Sequence, residues 1–205
     1  MKKPNETRTR ILDIAESAVL SKGFSATSIE EIVVAAEITK GGFFYHFPDK
    51  NALALALIKR YIDVEDALFD DLVRQARQLT DDPLQTYLVT LKLFQQVFED
   101  MPNGHPGCLI ATAAYQERLF DRDVRDTYKQ ATLNWRERFR RMLDDIAEVY
   151  PLRDDIDLDD LSDMLLAVVD GGIILAKVTN EPKAAARQVG LYRSYVKLLF
   201  RQPVQ

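Results

Sequence analysis

The sequence predicts an all-α protein of about nine helices, and three observations predict it. Apolar residues recur at three- and four-residue spacing along almost the whole chain. No segment sustains the two-residue alternation of a half-buried strand. Gly23, Pro48, the MPNGHPG run at 101–107 and Pro151 punctuate the periodic runs where helices should stop.

The elements follow in order. Residues 7–22 put Ile11, Ile14, Ala15 and Ala18 on one face, and Gly23 ends the helix. Residues 28–36 open with an S-x-x-E capping box, Ser28 and Glu31. A third short helix, 39–47, closes at Pro48. Asp49 is placed to cap a long helix from Lys50 to about Leu79. Helices at 83–99 and 108–118 flank the Pro/Gly turn, and a long one follows at 123–149. Residues 151–157 read as a linker, and 158–179 and 182–200 as the last two helices.

Composition narrows the function. With 47% apolar and 29% charged residues, the 205-residue chain is that of an ordinary folded protein. Its net charge of -5 excludes a general polycation. The charge is uneven: residues 1–60 carry nine Lys and Arg against seven Asp and Glu, and the remainder is strongly acidic. A DNA-binding face is therefore local and N-terminal. The single cysteine, Cys108, allows no intrachain disulfide and fits a reducing compartment. The basic start MKKPNETRTR runs into Asp13, Glu16 and Ser17 rather than an apolar core, so no signal peptide is expected. The most apolar run, 164–176, is split by Asp170 and too short to span a bilayer. A cytoplasmic location with no membrane partner is expected. With His46 and His105 the only histidines and no phosphate-binding glycine loop, no enzyme, cofactor or metal is expected. The aspartate-rich run at 153–163 lacks a glycine-centred calcium loop and reads as helix capping.

The two short helices at 28–36 and 39–47 have the layout of a helix-turn-helix, in which the second helix enters the major groove and its first residues meet base edges. Thr39, Lys40 and Gly41 hold those positions. Thr39 can cap the helix and donate to a phosphate; Lys40 can reach a base edge or a phosphate. Gly41 and Gly42 cost the helix roughly 1 kcal/mol each relative to alanine, which close approach of the backbone to DNA would explain. Tyr45 and His46, one turn on, suit phosphate oxygens, as do Lys50 and Ser28 at other helix starts. Thr27 and Phe43 complete the expected DNA-binding set. Core is the alternative for Phe43, and Phe44 and Phe47 are expected in the core.

Residues 7–55 resemble the N-terminal domain of the TetR/AcrR family of bacterial transcriptional regulators. The resemblance is carried by Ile11, Ala15, Ala18, Gly23-Phe24, Thr27-Ser28, Ile32, Ala36, Ile38-Thr39-Lys40-Gly41, Phe44-Tyr45-His46-Phe47, Asp49-Lys50 and Leu53. It implies a DNA-binding domain at 1–50 and a ligand-binding and dimerisation domain at 51–205. It further implies a homodimer on a palindromic double-stranded operator, usually a repressor released by a small-molecule effector. Two departures stand out: Glu37 occupies the turn position where the family usually has glycine, and Asn51 follows the exit lysine where an acid is usual. A helical interaction or thiol-sensing protein acting through Cys108, without specific DNA binding, is the alternative function.

The resemblance also assigns the body. The effector site falls among the helices beginning near Lys50, Pro83, Cys108 and Asp123, with Phe94, Phe98, Cys108, Leu109, Thr112, Gln116, Trp135 and Phe139 as candidate linings. Plain core is the alternative for each. An apolar site with a few polar groups would suit a hydrophobic or aromatic molecule. The penultimate helix is apolar nearly all round and needs neighbours on more than one side. With the last helix it is expected in a four-helix bundle between two subunits, through Leu161, Leu165, Val168, Gly172, Leu175, Ala176, Leu191, Tyr195 and Leu198; a monomeric core is the alternative.

Overall fold

Gly23 decides where the first helix turns. In the computed structural model, which describes residues 4–200, α1 spans Pro4–Ala26 with a break at Gly23, whose φ of 83° only glycine adopts freely. Lys2 and Lys3 of the basic N-terminus lie outside the described residues. Two short helices follow, α2 (Ile29–Ala35) and α3 (Lys40–His46), then the long α4 (Lys50–Arg77). α5 spans Pro83–Glu99, α6 Leu109–Ala114 and α7 Arg122–Ala147. α8 (Leu158–Thr179) and α9 (Ala184–Leu199) complete nine helices among the described residues, with a short 3-10 turn at Glu117–Leu119 before α7. The all-α expectation therefore holds.

Several expected boundaries move: α1 starts at Pro4 rather than Thr7, and α4 and α7 end two residues early. The helix expected at 108–118 stops at Ala114, and the chain leaves helical geometry at Gln116. The last helix starts at Ala184 rather than Pro182, and Pro182 lies beside Gly104.

The chain packs as two compact units. The first holds the chain up to Val64 together with Gly107–Ala131. Its core joins Ile11, Ala15, Phe24, Ile32, Phe43, Phe47, Leu57 and Ile58 of the N-terminal helices to Leu109, Ala113, Phe120 and Val124. Arg60 of α4 holds α1 by ion pairs to Asp13 at 2.6 Å and to Glu16.

The second unit holds Glu65–Pro106 and the chain from Thr132 onward. Asp82 caps α5 and Asp157 caps α8, each carboxylate accepting a backbone N–H at 2.7 Å. Asp159 and Asp163 pair with Arg140 and Arg136, so this part of the aspartate-rich run is occupied by capping and ion pairing. α8 lies tightly on α9: a Cβ on Gly172 would stand 2.8 Å from Ala185 Cα. Tyr87 of α5 and Tyr192 of α9 share a buried hydrogen bond of 3.1 Å, and Tyr192 Oη donates to the Leu161 carbonyl of α8 at 3.0 Å. Burial raises both phenol pKa values. No helix among the described residues is long and apolar enough to cross a membrane.

Candidate DNA-reading surface

Each reading helix is set by its cap. Ser28 Oγ accepts the Glu31 N–H at 3.2 Å, opening α2. The Glu31 carboxylate takes Lys22 Nζ at 2.7 Å and the Ser28 N–H, and Lys22 is the largest cause of its lowered pKa. Thr39 Oγ1 accepts the Gly42 N–H at 3.0 Å, opening α3. Glu37 sits between them with φ 53°. The turn thus keeps left-handed geometry with a glutamate in place of glycine, at a cost of about 1 kcal/mol.

α3 turns Phe43 and Phe47 inward and leaves Thr39, Lys40, Gly41 and Tyr45 exposed, with His46 half-buried beside them. Tyr45 is 77% exposed. A Cβ on Gly41 would meet only Thr39 Oγ1, at an ordinary 3.8 Å, and one on Gly42 would meet that oxygen at 3.4 Å. Packing within the chain therefore gives no reason for either glycine.

Two expected DNA contacts, Phe43 and Thr27, are corrected, and a third, Lys50, is partly engaged within the chain. Phe43 is fully buried, whereas Phe44, expected in the core, is 46% exposed. Successive helical residues point about 100° apart, so one of the adjacent pair must face out. Thr27 is buried as well, and its hydroxyl donates to the Gly23 carbonyl at 2.8 Å. Lys50 is half-buried and spends a donor on the Phe24 carbonyl. Burial lowers its pKa, which Glu31 partly opposes.

Two residues without an expected role belong to this surface. Glu30 of α2 holds Lys40 Nζ at 2.8 Å, and that contact is the largest cause of its lowered pKa. Arg8 of α1 lies over the Phe47 ring at 5.1 Å. The isolated charge at position 8 gave no sequence signal; an acid at position 30 facing a lysine at position 40 across a predicted turn did.

The expected effector residues fall into separate groups. In the first unit, Cys108 caps α6 through Sγ, which accepts the Ala111 N–H at 3.3 Å, and Thr112 donates to the Cys108 carbonyl. Leu109 is fully buried in the core with α1 and α2, and Gln116 binds the Ser25 backbone; both are corrected from the effector set. In the second unit, Phe139, Phe69, Phe94 and Phe98 form a chain of edge contacts at 4.9 to 5.9 Å, and Trp135 Nε1 donates to Asp66 at 2.8 Å. A groove in that unit is lined by Arg77, Asp81, Met142 and Asp145 among others and includes none of the eight.

The expected dimer residues also divide. Leu161, Leu165, Gly172 and Ala176 are buried within their own chain, because that side of α8 packs on α9 and α5; these four are corrected. Val168 is half-buried, and Leu175, Leu191, Tyr195 and Leu198 are exposed. Met164, Ile174 and Val178 of α8 join them on the open side, where a Cβ on Gly171 would meet nothing within 4 Å beyond its own helix. The exposed positions 174, 175 and 178, with half-buried Gly171, have the spacing of one helix face.

Residues 11–57 match the family model for bacterial regulatory proteins of the tetR family, and residues 90–190 match the tetracyclin repressor-like C-terminal domain. The chain belongs to the TetR/AcrR family. It is similar to the transcriptional regulator AcuR of Cereibacter sphaeroides, with 29% identity over 164 residues, 78% of this chain and 72% of that protein. It is similar too to the repressor DhaR of Mycobacterium sp. strain GP1, with 24% identity over 171 residues, 83% of this chain and 82% of that protein. A TetR-family regulator from Agrobacterium tumefaciens shares the fold with a TM-score of 0.78 at 18% identity, covering 97% of this chain and all of that one. The protein is a ligand-responsive TetR-family transcriptional regulator, and the alternative of a thiol-sensing module without specific DNA binding is not favoured.

Proposed function

We propose that the protein represses transcription as a homodimer on a palindromic operator and leaves it when a small hydrophobic or aromatic molecule binds the part of the chain after residue 50. The observation that carries the DNA-reading part is the outer face of α3. Thr39, Lys40, Gly41 and Tyr45 are exposed there, and Gly41 has no packing reason to be glycine. A bare helix face lets a phosphate or base edge approach the backbone. Thr39, Lys40, Gly41, Gly42, Tyr45 and His46 form the reading set, with Ser28 at the start of α2. Lys50 contributes with whatever donor capacity its bond to Phe24 leaves.

The dimer part is supported by the apolar face of Met164, Ile174, Leu175, Val178, Leu191, Tyr195 and Leu198. An exposed apolar face of this kind marks an interaction surface. A second copy of the same two helices would cover it, with Gly171 among these residues and Val168 at the edge. Two linked heads multiply weak half-site affinities.

For the effector, Phe94, Phe98, Trp135 and Phe139 supply apolar surface and Asp66 a polar group, which suits an aromatic or hydrophobic molecule. Cys108 and Thr112 are the remaining candidates. Coupling of the order of 1–3 kcal/mol between effector and operator is expected. Residues up to about 50 carry the DNA-binding function and the rest carry effector binding and dimerisation. The site of action is the cytoplasm.

The test is selection of bound DNA from a random-sequence pool by the purified protein at about physiological salt. The expected result is enrichment of a palindrome. A folded, dimeric protein that enriches no sequence would contradict the reading.

A further inference from the structure

Gln116 lies far from the N-terminal helices in sequence, yet its Oε1 accepts the Ser25 N–H at 3.0 Å. Its Nε2 stands 2.6 Å from where a Cβ on Gly23 would be. It therefore lies directly against the bend between α1 and α2, at the one residue there whose φ is positive. The same bend is held from other sides. Thr27 Oγ1 donates to the Gly23 carbonyl, and Lys50 Nζ donates to the Phe24 carbonyl. The Phe24 ring meets Phe120 edge-on at 4.9 Å. Asn51 Oδ1 accepts the Asp121 N–H at 3.1 Å, fixing the start of α7 to α4. α2 begins just past the bend at its cap, Ser28.

These contacts have unequal weight. Phe24 and Phe120 are core, and truncating either would destabilise the unit as a whole. The Ser25 N–H is at an exposed residue, so water can replace Gln116 there at little cost in stability. What is lost is the fixed direction in which the chain enters α2. Glycine at position 23 makes the bend possible, and Gln116 selects one version of it.

We propose that Gln116 is a positioning residue for operator binding: it fixes the α1–α2 bend and so makes the pose of α2 and α3 depend on the segment between α6 and α7. This rests on the DNA-reading role assigned to α3. Gln116 touches no DNA in this account. It acts through the Ser25 backbone and the space over Gly23.

The experiment compares the full-length protein with Gln116→Ala and Gln116→Glu on the selected operator and on random-sequence duplex, across a salt series, with melting temperature and amide exchange of the 23–29 segment. Gln116→Ala is expected to weaken operator binding about threefold to tenfold, the effect of one lost hydrogen bond. Random-duplex affinity and the salt slope stay as in the parent, because no phosphate contact is lost. Exchange of the 23–29 segment quickens, and melting shifts by no more than about 3 °C. Gln116→Glu keeps an acceptor for the Ser25 N–H and restores most of the operator affinity. Unchanged operator affinity for Gln116→Ala would overturn the proposal while leaving the DNA-reading assignment intact. Equal losses on operator and random duplex, or a failure of Gln116→Glu to restore binding, would overturn it too. A parent protein that selects no operator would overturn the DNA-reading assignment and this proposal with it.

Discussion

Two helices of this protein each contain a glycine pair, and the pairs do different things. In α8, Gly172 is required by its own chain, since a Cβ there would run into the Ala185 backbone at 2.8 Å, whereas Gly171 faces open space. In α3, neither glycine is required: the nearest obstacle to a Cβ is the Thr39 hydroxyl, at 3.8 Å from position 41 and 3.4 Å from position 42. Glycine inside a helix is destabilising by roughly 1 kcal/mol relative to alanine. Gly172 offsets that by close packing within the fold. Gly41 does not, and the face it leaves bare is the one read as the DNA contact. A glycine pair in a sequence therefore announces a close approach without saying of what.

The largest expected effect tests the open side of the α8–α9 pair. Leu198→Glu sits 66% exposed in the single chain, so folding of that chain should be nearly unchanged. Burying a carboxylate in a dimer face should disrupt the dimer and lower operator affinity at least about a hundredfold. Sedimentation and operator titration check both parts; an intact dimer would remove this face from the account. Next comes the closed side. Gly172→Ala should destabilise the protein by about 2 kcal/mol through overpacking, whereas Gly171→Ala should not destabilise it. Denaturant unfolding of the two variants separates the positions, and equal effects would break the contrast.

A smaller effect involves the far end of α8. Burial holds the His105 imidazole down at about 4, assisted by Lys177 of α8. The folded state therefore favours the neutral ring. Its contribution to stability is complete above the ordinary histidine pKa of about 6.5 and is lost as pH falls from there toward 4. His105→Gln should remove about 1–2 kcal/mol of pH dependence in that window, visible as a flatter plot of melting temperature against pH. The smallest effect lies on α3's own face. Glu30→Gln releases Lys40 from its exposed ion pair and should raise DNA affinity slightly. A steeper salt slope would accompany it. Weaker binding by Glu30→Gln would mean that Glu30 itself contacts the DNA.

Much of this was legible in the sequence because caps and periodicity are local. Ser28, Thr39 and Asp49 cap the helices they were expected to open. Gly23 bends the chain where the helix was expected to stop. The exchange between Phe43 and Phe44 was not legible, since in a seven-residue helix a one-residue shift of register swaps inside for outside. For α8 the apolar residues all round signalled neighbours on several sides, but spacing does not say which side α9 covers and which stays open. Leu161 and Leu165 therefore turned out internal, while Met164 and Ile174 face outward. The roles of Leu109 and Gln116 depend on contacts with residues some ninety positions away, which no local pattern encodes.

The most direct measurement is Gly41→Ala, assayed for both stability and operator affinity. The bare outer face of α3 predicts opposite signs: about 1 kcal/mol more stable, from relief of the helix penalty, and at least about tenfold weaker on the operator, because a methyl group holds the helix off the DNA. Tighter or unchanged operator binding by a stabilised Gly41→Ala protein would contradict the assignment of this face as the DNA-reading surface.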